Sequence, residues 1–270
     1  MSKMEYNFVQ GIYSMIHYRN EIIKRLQSIE KEFSVAILLA VESGSRAWGF
    51  ESTDSDFDVR FIYAHPENWY VNVLPKRDVI EMPISDDYDF SGWDIKKALF
   101  LMSKSNPVLF EWLISPIIYK KDAAAYDAIR QCSERFFSPK TAIHHYLHMA
   151  EGNFREYLQG ELVRVKKYFY VLRPLFACMW IEKYGSYPPM LFQELVEAVS
   201  LDTVLVNEIE MLLSRKKSGV ELGLEKRIDV INDFLDEKIT YYNAFASHVT
   251  HEMKGSASDL DNTFQKIIRR

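Results

Sequence analysis

Two apolar runs separated by a glycine-serine turn and a run of acids constrain this chain more than any other feature. Ala36 to Val41 reads as a buried strand and ends at Gly44-Ser45. A short spacer later, Asp56-x-Asp58 opens a second apolar run, Val59-Arg60-Phe61-Ile62-Tyr63. In a strand, residues two apart point the same way, roughly 6.5–7 Å apart at Cα. Asp56 and Asp58 therefore repel each other along one edge unless a cation sits between them. Hard oxygen ligands of this kind suit Mg²⁺ or Mn²⁺, which keep open positions for phosphate oxygens. A nearby Gly-Ser turn supplies what a triphosphate needs, approachable backbone N–H groups and a short hydroxyl donor. Strand, Gly-Ser, spacer and Asp-x-Asp on a strand form a phosphoryl-transfer layout.

Taken alone, the Thr53–Asp58 run also fits a solvated acidic loop. An EF-hand would use Asp54, Asp56 and Asp58 as its first ligands, but Val59 stands where its glycine belongs and His65 where its closing glutamate belongs. Residues 44–52 match neither the Walker A pattern nor the Gly-x-Gly-x-x-Gly fingerprint. The ordered set Gly44-Ser45 with Asp56-Phe57-Asp58-Val59 resembles the polymerase β-type nucleotidyltransferase superfamily, with Ser55 in a position the superfamily usually keeps apolar. Longer words narrow the resemblance: Gly-Ser-Arg-Ala-Trp-Gly (44–49), Ser-Gly-Trp-Asp-Ile-Lys-Lys-Ala-Leu (91–99), Lys-Ser-Asn-Pro (104–107) and Glu-Trp-Leu-Ile-Ser-Pro (111–116). Together they are similar to the RNA-repair-pathway DNA polymerase β branch, from about Val35 to Pro188-Pro189.

The resemblance implies transfer of a nucleoside monophosphate from a nucleoside triphosphate such as ATP to a hydroxyl, with release of pyrophosphate. It implies two Mg²⁺ (or Mn²⁺) ions held by Asp56, Asp58 and a third carboxylate on an adjacent strand. Asp89 is the better candidate, because Tyr88-Asp89-Phe90 alternates like a strand. Asp94 is the runner-up and reads first as a helix N-cap, while Asp86 and Asp87 read as solvated turn residues. Gly44 and Ser45 would cradle the phosphates, and Arg46 has the fork to join them. The acceptor stays open between an RNA end, a protein hydroxyl and a small-molecule hydroxyl. A non-catalytic nucleotide-binding or interaction module is the alternative of another class.

The chain of 270 residues, 48% apolar and with a formal net charge of −5, can bury one large core or two modest ones. That charge argues against a wide, sequence-independent nucleic-acid surface. Cys132 and Cys178 lack metal-ligand spacing, no apolar run approaches the ~18 residues of a membrane span, and no signal-peptide pattern opens the sequence. A soluble, cytoplasmic protein is expected. The fold expected is α+β: a polymerase β-like mixed sheet with flanking helices over residues 1–120, then an all-helical domain over 121–270. Strands are expected near 35–41, 57–64, 78–83, 88–90 and 117–119, with a turn at Ser91-Gly92. Short helices are expected at 45–50, 95–103 and 108–113. Beyond 121 only helical patterns appear, about 123–135, 139–158, 161–184, 190–199, 202–216, 223–247 and 259–268.

In that second half Lys166, Tyr170 and Arg173 fall on one helical face. Two cations bracketing a ring suit a triphosphate and a stacked base, although a basic solvent face explains them equally well. Lys167 is a further candidate from the resemblance. Arg46, Arg60 and Lys96 are the cations left to hold phosphate if that face lies elsewhere. His144 and His148, one helical turn apart, read as packing or surface residues.

Overall fold

Strand β1 (Ala36–Ser43), buried from Ile37 to Glu42, sits inside a five-stranded sheet. This computed structural model describes residues 3–52, 55–85, 87–199, 201–219, 222–250 and 254–270, with side chains from residue 17 onward. Asp54 and Asp86 lie outside the described residues. Helix α1 (Lys3–Phe33) leads into β1, the single turn α2 (Gly44–Ala47) follows it, and β2 (Phe57–Ala64) returns antiparallel. After α3 (Glu67–Tyr70) come β3 (Val79–Glu81), β4 (Tyr88–Asp94), α4 (Ile95–Ser103), α5 (Pro107–Ile114) and β5 (Ile118–Lys121). The sheet order is β3-β4-β2-β1-β5; β4 runs parallel to β2 and the remaining pairs are antiparallel.

The two faces of the sheet bury different partners. Ile37, Ala40, Val59, Phe61 and Tyr63 pack against Ile22, Leu26 and Ile29 of α1. Leu39, Val41, Ile62 and Ala64 pack against α4 and α5, and also against Ala125, Ile129 and Cys132 of α6 (Ala123–Ser133). By core membership the sheet unit runs past residue 120 and reclaims Ile267 of the last helix, α12 (Ala257–Ile268). The rest is a separate helical core: α7 (Pro139–Tyr157), α8 (Tyr168–Tyr184), α9 (Phe192–Ala198), α10 (Thr203–Lys217) and α11 (Asp229–Ala246). Phe50 crosses into it, stacking on Phe169 with ring centroids 4.9 Å apart.

Three expectations need correction. Ser91-Gly92 is no turn, because β4 continues through it to Asp94. Gly92 is there for packing: a Cβ would come within 2.1 Å of the Phe61 ring on the neighbouring strand. The second half is not wholly helical, since β6 (Leu162–Arg164) and β7 (Leu224–Lys226) form a two-stranded ribbon. Three-residue strands are too short to show alternation. Finally, a 3₁₀ turn over Val165–Lys167 precedes α8, so Lys166 and Arg173 do not share one continuous helix face. Asp94, by contrast, caps α4 by accepting from the Lys96 N–H at 2.8 Å, and its other oxygen accepts from the Tyr70 hydroxyl, also at 2.8 Å.

Candidate active site

The side chains of β2 that face α4 and α5 change character along the strand. Ile62 and Ala64 lie in the core, but Arg60 and Asp58, on the same face, reach the open end of the sheet. Antiparallel pairing sets Asp58 opposite Ser43, next to the Gly44 turn, and parallel pairing sets it beside Asp89. Gly44 has φ +63°, and a Cβ on it would lie 2.1 Å from Asp58 Oδ2. The missing side chain is therefore the notch in which the Asp58 carboxylate sits. Asp58 is pushed up from the usual carboxylate range, first by burial, against the pull of Arg60, with Asp89 and Asp56 adding to the rise.

Arg60 stands between the two strands' acids. Its Nη2 donates to Asp89 Oδ2 at 2.7 Å and to Asp58 Oδ1 at 3.2 Å. Asp56 is exposed, just ahead of β2. Among the described residues no group of three His, Cys, Asp or Glu side chains converges as a ready metal cage. Asp58 and Asp89 nevertheless offer adjacent hard oxygens drawn around a cation, with Asp56 alongside, which is a donor set suited to Mg²⁺ or Mn²⁺. His144 and His148 are exposed on α7.

A cavity of about 110 Å³ opens beside these acids. Gly44, Ser45, Asp56 and Asp58 line one wall, and Lys166, Phe169, Tyr170 and Lys216 of the helical half line the other. Lys216, at the end of α10 and 8% exposed, donates from Nζ to Ser52 Oγ at 2.7 Å. Burial and the nearby Asp58 and Asp56 charges raise the Tyr170 phenol. Lys167 turns aside, its ammonium over the rings of Tyr157 and Tyr170 at 4.3 and 4.7 Å.

The two predicted arginines serve elsewhere. Arg46 donates to the backbone oxygens of Asp56 (3.1 Å) and Ser55 (2.6 Å) and covers the Phe57 ring, so it fixes the loop that presents Asp56. Arg173 is 3% exposed, absent from the cavity wall, and paired with Glu111 of α5 at 2.8 Å beneath the Trp48 ring. A helix wheel placed it beside Lys166; the 3₁₀ turn and the Glu111 partner draw it into the seam between the halves.

Sequence reasoning missed Glu42 entirely. It is fully buried, and its Oε1 accepts the Asp58 backbone N–H at 2.7 Å while its Oε2 accepts the Tyr119 hydroxyl. Burial pushes its carboxyl up to about 7, although those two hydrogen bonds pull it down. A folded-state value above the unfolded 4.5 means that the folded chain holds this proton longer. Glu42's contribution to stability is therefore best below about pH 4.5 and declines until about pH 7, by roughly 3 kcal/mol in total. Glu42→Gln should remove that decline, leaving the variant more stable than the parent at pH 8. Denaturant unfolding across this range checks it; parallel curves for the two proteins would refute the assignment.

The RNA repair pathway DNA polymerase beta family matches residues 18–266, nearly the whole chain. The chain belongs to that family. It is accordingly a nucleotidyltransferase-like protein. The uncharacterized protein YcgL of Bacillus subtilis (strain 168) is 46% identical over 253 residues, covering 92% of this chain and 97% of YcgL. A solved nucleotidyltransferase-like protein from Exiguobacterium sibiricum 255-15 overlaps 92% of this chain and 80% of its own, at 10% identity and a TM-score of 0.29, too little to support any argument from its geometry. Among the described residues no helix is long and apolar enough to cross a membrane.

Proposed function

We propose that this chain transfers a nucleoside monophosphate from a nucleoside triphosphate to a hydroxyl acceptor. The acceptor oxygen bonds to the α-phosphorus, the bond from that phosphorus to the bridging oxygen breaks, and pyrophosphate leaves. One observation carries the reading: the cavity sets carboxylates and a Gly-Ser turn on one wall against Lys166 and Lys216 on the other. Its volume of about 110 Å³ is small against the ~300–1,000 Å³ that encloses a whole small ligand. It suits a phosphate tail, with sugar and base at the mouth beside Tyr170. Gly44-Ser45 would offer N–H and hydroxyl donors, and Lys166 and Lys216 would neutralise the tail. Asp56, Asp58 and Asp89 would hold two Mg²⁺ or Mn²⁺ ions, which supply charge neutralisation and a lowered pKa for the attacking hydroxyl. Positioning and electrostatics then supply most of the acceleration.

The family's description favours an RNA hydroxyl as acceptor. Incubation with each labelled triphosphate, Mg²⁺ or Mn²⁺ and pooled RNA tests this: label on RNA supports it, label on protein or a small molecule redirects it, and no transfer refutes the catalytic reading. Lys166→Ala and Lys216→Met should each weaken triphosphate binding by about 1.5–3 kcal/mol, the worth of a hydrogen bond to a charged group. That is roughly 10- to 100-fold in Kd by equilibrium titration. Arg173→Ala should instead cost about 3–5 kcal/mol of folding stability, because it strands Glu111 in the seam. Unaltered triphosphate affinity in both lysine variants would remove the helical half from the binding site.

A further inference from the structure

Arg60 belongs to no motif that led to the site, yet it occupies the position where a cation is most needed. Asp58 and Asp89 are side by side because β2 and β4 run parallel in that register. Arg60 projects from the same face of β2 two residues on, and its side chain is 19% exposed. Besides bridging the two carboxylates at 3.2 and 2.7 Å, it anchors Nη1 on the backbone oxygens of Asp89 (3.0 Å) and Val59 (3.3 Å). Asp58 Oδ1 is thus paired with the guanidinium, while Oδ2 lies in the notch at Gly44. A cation that spans Asp58 and Asp89 therefore competes with Arg60 for Asp58 Oδ1 and Asp89 Oδ2.

We propose that Arg60 is a built-in counter-cation for this carboxylate pair, and that a divalent metal ion binds Asp58 and Asp89 by displacing its guanidinium. This rests on the metal-dependent reading above. Two like charges on adjacent strands destabilise the metal-free sheet, and a resident guanidinium offsets that repulsion. The acids are fixed by strand register, whereas Arg60 has a flexible stem, so the arginine is the partner that moves. The arrangement sets metal affinity by competition: metal gains the two carboxylates only after the bridge is broken. A purely structural arginine predicts the reverse, since its loss would let the acids splay and weaken metal binding.

Mn²⁺ titration calorimetry and thermal unfolding in EDTA, on the full chain, separate these outcomes. Arg60→Gln should bind Mn²⁺ at least about tenfold tighter than the parent while its metal-free form melts lower. Arg60→Lys, which keeps the charge without the fork, should fall between. In EDTA the stability changes caused by Arg60→Gln and by Asp58→Asn should be non-additive, as for two members of one bridge. Mn²⁺ affinity that is unchanged or weaker in Arg60→Gln, with binding lost in Asp58→Asn, would overturn the proposal and leave the metal reading intact. Undiminished Mn²⁺ binding in Asp58→Asn would overturn the metal reading, and the proposal with it.

Discussion

Asp58→Asn should lower nucleotidyl transfer by about a thousandfold or more, which corresponds to about 4 kcal/mol of lost transition-state stabilisation. Asp58 is the residue on which every line of the site converges: it faces Asp89 across the parallel pair, contacts Arg60, and lines the cavity with Gly44 and Ser45. The amide keeps the shape but forfeits the charge that would hold a metal ion. The metal-free fold should survive. Asn loses the Arg60 ion pair, and it also removes repulsion with Asp89 and Asp56 and the cost of a partly buried carboxylate, as the upward shift of Asp58 indicates. These effects oppose each other, so stability should change by no more than about 1 kcal/mol, the range of partly exposed pairs. Circular dichroism and thermal melting, run beside single-turnover transfer assays, check both halves. Transfer at parental rates would end the metal-carboxylate reading, and an unfolded variant would mean that Asp58 is structural first.

Much of the candidate site's geometry was legible because its signals are local. Asp58 lies on a strand with Asp56 just ahead of it, Gly44-Ser45 follows another, and the Tyr88-Asp89-Phe90 pattern gave the third acid a strand. The family's ordered words narrowed the reading to nucleotidyl transfer. What escaped depends on contacts distant in sequence. Lys216 reads as the basic end of an exposed helix, and only the fold brings it to Ser52, 164 residues away. Glu42 hides within an apolar strand, where nothing in the sequence announces that Tyr119, 77 positions on, will donate to it. Arg173 failed for a related reason. A helical wheel assumes a continuous helix, and the 3₁₀ turn at Val165–Lys167 breaks the phase just where the argument needed it. Gly92 misled because glycine in a strand marks close approach by a neighbour as readily as it marks a turn.

Gly44→Ala should also damage activity, though about tenfold less than loss of the Asp58 charge, and it removes no functional group. Two costs act together. The residue has φ +63°, a conformation that costs an L-residue about 1–2 kcal/mol. Its new Cβ would also lie 2.1 Å from Asp58 Oδ2, so the turn or the carboxylate must shift. Misplacing a reacting group by about 1 Å costs on the order of a hundredfold in rate, and a hundredfold loss of transfer is the expected result. The two costs can be separated by a double-mutant cycle. In an Asp58→Ala background the collision is gone, so Gly44→Ala should then cost only the backbone term, about 1–2 kcal/mol of stability. In the parent it should cost measurably more. Denaturant unfolding of the four proteins gives both values. Equal losses in the two backgrounds would show that Gly44 is needed for its backbone angle alone, and that the Asp58 carboxylate finds its place without the notch.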